Sequence, residues 1–255
     1  MGRQPTFRIR FALLITIASI TTSLLAGCST VNEGGTGTAA APTTSIQTLE
    51  YYPYQVKGYQ NSYPKKTIQI LMPADARDTT GTAPLNGNPA IGVVIDQSNN
   101  VTERLYSSPL GPTVQQAIGR SADEAGMSAS SSPDVAYKPG VKNTEYVLES
   151  KIRRCWVKKS RLSGQDGPIW RTVADFVLDI AIYKPPFSVP FWTGSSNDTY
   201  YDPPVGSFGL GSEDEAGIYD EPGQVLSVAL TRSVAAIFQR QDLRNLMLED
   251  DIKSH

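Results

Sequence analysis

Histidine is almost missing from this chain: one residue in 255 is His, and it is the last, His255. A Ser-His or Cys-His hydrolase needs an imidazole held in place by the fold, and chain ends fray. A histidine-based metal site is disfavoured for the same reason. Cysteine is nearly as scarce, with Cys28 and Cys155 alone, so no disulfide framework is expected. No glycine-rich phosphate loop is present. Gly206, Gly209 and Gly211 spell G-x-x-G-x-G in a turn-rich stretch without the strand before it or the lysine after it that phosphate binding needs. No long hydrophobic run occurs after the first thirty residues or so. We therefore expect no catalytic residues, no metal site and no cofactor.

The one apolar run is Phe11 to Cys28, FALLITIASITTSLLAGC, led in by Arg3, Arg8 and Arg10. It is shorter than the ~20 residues a spanning helix needs. It also carries Thr16, Ser19, Thr21, Thr22 and Ser23, which suits a cleaved secretory signal. The ending Leu25-Ala26-Gly27-Cys28 resembles the lipobox of bacterial lipoproteins. That resemblance implies a signal peptide over residues 1–27 and a diacylglyceryl group on Cys28, with several acyl chains at ~0.8 kcal/mol per buried methylene holding the chain on a membrane. Ser29, not Asp, follows the cysteine. In Gram-negative lipoproteins such a residue implies sorting to the outer membrane, facing the periplasm. With Cys28 lipidated, Cys155 has no partner and reads as a buried, inert thiol.

Three of the 23 basic residues precede Cys28 and none of the 25 acidic ones do, which leaves 20 against 25 and a mature net charge of −5. Such a chain has no general attraction to nucleic acid or to an anionic lipid surface. Residues 28–50 are small and polar, and read as the lipidated cysteine and a flexible tether with an r.m.s. reach of ~25 Å. Residues 51–64 hold Tyr51, Tyr52, Tyr54, Tyr59 and Tyr63. Tyrosine suits interfaces, but an arm laying these rings on the domain's own surface is the favoured reading. Tyr51, Tyr52 and Tyr54 are retained as candidate partner-binding residues.

The domain is placed at residues 65–255. Thr67 to Met72 and Ile91 to Ile95 read as strands. Gln97 to Pro109 reads as polar turn. Val114, Ala117, Ile118, Ala122 and Ala125 mark a helix ending at Gly126. Residues 128–143 read as a loop or weak edge strand. Thr144 to Lys158 and Trp170 to Tyr183 alternate over long stretches and should pair as an antiparallel hairpin. Tyr146, Leu148, Ile152 and Trp156 share one parity, and Glu149, Lys151, Arg153 and Cys155 the other. In the second segment Trp170, Ala174, Phe176, Leu178, Ile180 and Ile182 face together, against Arg171, Asp175, Asp179 and Tyr183. Phe187 to Trp192 and Asn197 to Tyr201 form at most a broken strand. Residues 202–223 read as a loop, a helix starts near Pro222, Asp242 to Leu248 adds a last turn, and the tail DDIKSH frays. The sum is an α+β fold, helices on one face of a mainly antiparallel sheet, in the order β–β–α–β–β–(β)–α.

Lys151, Arg153 and Lys158 belong to a basic run along the first long strand. They are candidates for a partner surface, with protection of a strand edge as the equal alternative. Asp175 and Asp179 share a strand face, where paired acids or cross-strand ion pairs are both open, the pairs being the sober reading. The phrases ILMPADARD and IGVVIDQS, the helix, the strand pair and the last helix are similar to YajG-like envelope lipoproteins and to auxiliary lipoproteins of ABC-type envelope transporters. That resemblance implies a non-enzymatic accessory or binding component of a cell-envelope complex, with an envelope protein as partner. The alternative is a carboxylate-based periplasmic hydrolase or glycan-binding protein.

Overall fold

The two long alternating segments form the frame. The computed structural model describes residues 41–53, 58–78, 83–141, 143–164, 167–202, 219 and 221–254. The expected signal peptide, Cys28, Tyr54 and nearly all of the 202–223 loop lie outside the described residues. In chain order the strands are β1 (Thr43–Gln47), β2 (Thr67–Leu71), β3 (Ala74–Asp75), β4 (Gly92–Ile95), β5 (Val101–Ser107), β6 (Ser128–Ser132), β7 (Tyr146–Gly164), β8 (Gly167–Tyr183) and β9 (Pro190–Asp202). The helices are α1 (Leu110–Glu124) between β5 and β6, then α2 (Pro222–Phe238) and α3 (Gln241–Ser254). The α+β class stands.

β7 is long enough to serve several partners in turn. One edge pairs antiparallel with β8 along its whole length, and β8 pairs antiparallel with β9. The other edge takes β2 at Tyr146–Leu148, β3 at Lys151–Ile152 and β4 at Val157–Ser160, all parallel. β4 continues antiparallel to β5 and then parallel to β1, while β6 extends β2. β4 lies so close on β7 that a side chain at Gly92 would meet the Val157 carbonyl at 2.0 Å, so only glycine fits there.

Helices cover one face. α2 packs on β7, β8, β9 and α1. It starts at Pro222 behind a Glu221–Gln224 capping box, which satisfies N–H groups that the first turn leaves unpaired. Its Val225, Leu226, Ala229, Leu230, Val234, Ile237 and Phe238 are fully buried, together with Phe176, Leu178 and Ile182 of β8 and Val114, Ala117 and Ile118 of α1. Ala40–His255 forms one compact unit around this core.

Several expectations need correction. The tether does not extend to residue 50, because Thr43–Gln47 is a strand on β5. The fold therefore begins well before residue 65. The segment read as polar turn contains β5, whose outer edge β1 covers. β9 is one continuous strand with Trp192, Ser196 and Tyr200 buried toward the helices. The last turn is a fourteen-residue helix, α3, held through the expected frayed tail. Asp250 accepts hydrogen bonds from Tyr146 Oη at 2.5 Å and from Lys184 Nζ. Burial works against this carboxylate, but the two donors outweigh it and hold Asp250 below the usual carboxylate range.

The tyrosine arm packs on its own domain. Tyr51, Tyr59 and Tyr63 are buried. Glu124 at the end of α1 accepts from Tyr59 at 2.6 Å and from Tyr51 at 3.0 Å, and Tyr59 also bonds Ser121. The arm's backbone is tied to α2 by Glu50 N–H to Ser227 Oγ and Tyr52 N–H to Thr231 Oγ1. Tyr51 is thus withdrawn from any partner surface.

Candidate interaction surface

The face of the sheet away from the helices is built by β7, β8 and β9. A bulge between Ile152 and Arg154 decides what it presents. A bulge adds one residue to a strand and resets which side chains face which way. Before it, Tyr146, Leu148, Ser150 and Ile152 point to the core. After it, Cys155 and Val157 do. Arg153 and Arg154 are both exposed, and Trp156 is half-buried on the outer side. This corrects the strict alternation, which grouped Trp156 with Tyr146, Leu148 and Ile152 and put Cys155 on the other parity. The expectation of a buried Cys155 holds: burial pushes its thiol up to about 12, against the pull of the Arg77 charge. At neutral pH it is no thiolate nucleophile.

In the half of the hairpin nearest α3, the cations are matched by carboxylates. Arg153 Nε lies 2.6 Å from Asp179, Arg154 Nη2 lies 2.9 Å from Asp175, and Lys151 Nζ lies 3.8 Å from Glu149. Thr199 of β9 donates to Asp175 at 2.7 Å. Asp175 and Asp179 sit on an open sheet face as cross-strand ion pairs, the sober of the two readings. Beside them Arg77 forks onto Asp75 through Nε at 2.8 Å and Nη2 at 2.7 Å. A cavity of about 310 Å³ lies between, lined by Arg77, Asp78, Arg153, Arg154 and Trp156 among others.

Toward its turn the hairpin outruns the helices. Trp170 shares the parity of Phe176 and Leu178, yet it is 43% exposed. Lys159 Nζ stands 5.5 Å and the Arg161 guanidinium 6.0 Å from the Trp170 ring, and the Arg171 guanidinium lies 5.4 Å from that of Tyr201. Leu162 and Tyr201 are exposed as well. A hollow of about 370 Å³ lies next to Trp170 and Lys159, bordered by Glu103 and Glu221. Sequence reasoning placed Lys158 in the basic run but did not single out Arg161, Trp170, Arg171 and Tyr201 as surface residues. The available signal was length: the alternation continues well past the reach of the helices.

Of the candidate partner-binding residues, Lys151, Arg153 and Lys158 share one exposed face, whereas Tyr51 is buried elsewhere and Tyr52 is half-buried against α2. Among the described residues no group of three or more His, Cys, Asp or Glu is placed to hold a metal ion. No described helix is long and apolar enough to cross a membrane.

No protein-family model and no curated protein matches the chain. Solved structures do. The XCC0632 protein of Xanthomonas campestris, of family DUF330, is 9% identical with a TM-score of 0.46, covering 82% of this chain and 98% of its own. A neuraminyllactose-binding hemagglutinin homolog from Helicobacter pylori is 12% identical with a TM-score of 0.40, covering 80% and 98%. A PelC dodecamer from Paraburkholderia phytofirmans is 11% identical with a TM-score of 0.33, covering 71% and 96%. Likeness at this level carries no activity over to this chain.

Proposed function

We propose that this protein is a lipid-anchored, non-enzymatic binding component of the bacterial cell envelope, held at the outer membrane through Cys28 and contacting an envelope protein complex through the outer face of its long hairpin. The observation that carries the reading is the Arg3–Arg8–Arg10 head, the short apolar run and the Leu25-Ala26-Gly27-Cys28 ending. Two features of the fold support it. The first described strand begins fifteen residues after Cys28, so the chain can stretch no more than about 54 Å between them. The exposed face carrying Lys151 and Arg153 offers fixed charges of both signs, an arrangement that gives orientation and selectivity to a protein contact.

The test is fractionation of wild type and Cys28→Ser. Wild type should sit in the membrane fraction with a diacylglyceryl mass on Cys28, and the variant should lose that mass and its detergent-sensitive anchoring. A variant that stays anchored in the same way would sink the reading. Charge reversal at Arg153 should lower capture of the envelope partner by in-membrane cross-linking without releasing the protein from the membrane.

A further inference from the structure

The turn-ward end of the hairpin and the point where the chain enters the fold lie at the same edge of the domain. Thr43 is in register with Glu103, Glu103 with Val94, and Val94 with Lys159. The chain arriving from Cys28 therefore joins the sheet level with Lys159, beside the part of the hairpin that outruns the helices. The loop between β8 and β9 and the Asp250 cluster lie at the far end of the same strands.

What this edge carries differs from the rest of the surface. Lys158, Arg161 and Arg171 have no carboxylate within ion-pair distance among the described residues, while Arg153 and Arg154, a few residues away, each hold one. Arg161 instead faces the Trp170 ring on the core-parity side of the hairpin, and Arg171 faces the Tyr201 ring on the outer side, so both faces of this end carry a basic-aromatic pair. Aromatic rings with one apolar and one wet side, alternating with basic groups, match the headgroup layer of a bilayer. Leu162 adds an exposed apolar side chain at 40%. The mature chain is acidic overall, while this edge gathers Lys158, Arg161 and Arg171, with Glu103 and Glu221 bordering the hollow beside Trp170.

We propose that this end of the β7–β8 hairpin is a membrane-docking element that takes anionic phospholipid headgroups, with Arg161, Arg171 and Lys158 on phosphate and Trp170, Tyr201 and Leu162 at the acyl boundary. The inference rests on the lipid-anchor reading for its biological setting. It deepens that reading by giving the tethered domain a fixed face toward the bilayer. One lipid signal and one basic-aromatic patch together hold a protein more firmly than either does alone. Tethering also makes the second contact intramolecular, so a weak patch suffices.

The test needs no lipid on the protein. The mature chain with Cys28→Ser, which contains the whole compact unit, is mixed at low ionic strength with phosphatidylcholine vesicles, with or without phosphatidylglycerol, whose acyl chains carry bromine. Tryptophan fluorescence should be quenched only when phosphatidylglycerol is present, and added salt should reverse it. Trp170→Phe should remove most of the quenching. Arg161→Glu with Arg171→Glu should weaken binding by about tenfold or more, whereas Lys253→Glu, on α3, should change it less than twofold. Circular dichroism confirms that each variant is folded. Equal quenching on both vesicle types, or no effect of the double reversal in a folded protein, overturns the proposal. So does absence of binding, which would assign the cationic edge to an acidic protein. Failure here with a lipid found on Cys28 leaves the anchor reading standing, and success with no lipid there removes the anchor alone.

Discussion

The two halves of one hairpin, made of the same two strands, behave as different materials. In the half from Tyr146 to Trp156 and Asp175 to Tyr183, one face is sealed by α2 and every exposed arginine holds a carboxylate. In the half from Lys158 to Leu162 and Trp170 to Arg171, the strands run past the buried core and the arginines face aromatic rings. The pairing pattern is continuous across both. What changes is the cover on the other side of the sheet. Where helices bury one face, the charges on the other are locked into cross-strand pairs. Where the cover of the described helices ends, the hairpin presents an amphipathic edge of its own.

The largest expected effect lies in the sealed half. Phe176 is fully buried under α2, and Phe176→Ala should cost about 3–5 kcal/mol in urea unfolding, from lost transfer free energy and the cavity left behind. A cost under about 1 kcal/mol would mean that the sealed half is not the stable part and would break the comparison.

Next comes the root of the hairpin. Tyr146 opens β7 and Lys184 follows β8, and both donate to Asp250 of α3. Asp250→Ala leaves the buried Tyr146 hydroxyl without its acceptor and should cost about 1–3 kcal/mol. The pH dependence has a definite sign. The folded-state pKa of Asp250 is depressed, so its contribution is full above the unfolded carboxylate value of about 3.9 and is lost as the pH falls through the folded value. Wild type should lose stability on acidification below about pH 4, and Asp250→Ala should lose less over the same range.

This division was only partly legible in the sequence. Core positions of β8, α1 and α2 followed from the alternation of Phe176, Leu178 and Ile180 and from the helical spacing of Val114, Ala117 and Ile118, because local periodicity and burial agree there. The bulge was not legible, since an extra residue leaves no trace in composition, and from Arg154 onward the parity of β7 was inverted. β1 and β5 were hidden because Thr44, Ser45, Thr102 and Glu103 look like linker. Their strand state comes from parallel pairing between segments sixty residues apart. α3 was underestimated because what holds its last turns is polar, Asp250 on Tyr146 and Asp251 on Lys66 at 2.9 Å, and a hydrophobic stripe cannot announce that. Of the candidate surface, the basic run was visible and the rings that complete it were not. Trp170 obeys the core parity, and only the reach of the helices shows that it stands outside.

Trp170 gives the opposite test to Phe176, on the same face of the same strand. It is 43% exposed, and its ring contacts with Lys159 and Arg161 are of the exposed kind, at about 0.5–1 kcal/mol each at most. Trp170→Ala should therefore lower stability by about 2 kcal/mol or less while abolishing most of the tryptophan response to anionic vesicles. A loss approaching that of Phe176→Ala would place Trp170 in the core and erase the distinction between the halves.

The smallest effect separates the two ways in which the halves hold an arginine. Arg153 and Asp179 sit at 2.6 Å with side chains 50% and 40% exposed, so a double-mutant cycle between them should give about 0.2–1 kcal/mol. That coupling is between two full charges in water and should fade as salt approaches 1 M, where the screening length falls to about 3 Å. The cycle between Arg171 and Tyr201, 5.4 Å from guanidinium to ring centre, should be of similar size but less sensitive to salt, because the ring carries a quadrupole and part of the contact is apolar. If both couplings fade together, the far half is held by unrecognised ion pairs and its cations are not available to phosphate. If the Arg171–Tyr201 coupling persists while the Arg153–Asp179 coupling vanishes, the arginine of the far half keeps its formal charge unmatched by any carboxylate, which is the condition that binding an anionic surface requires.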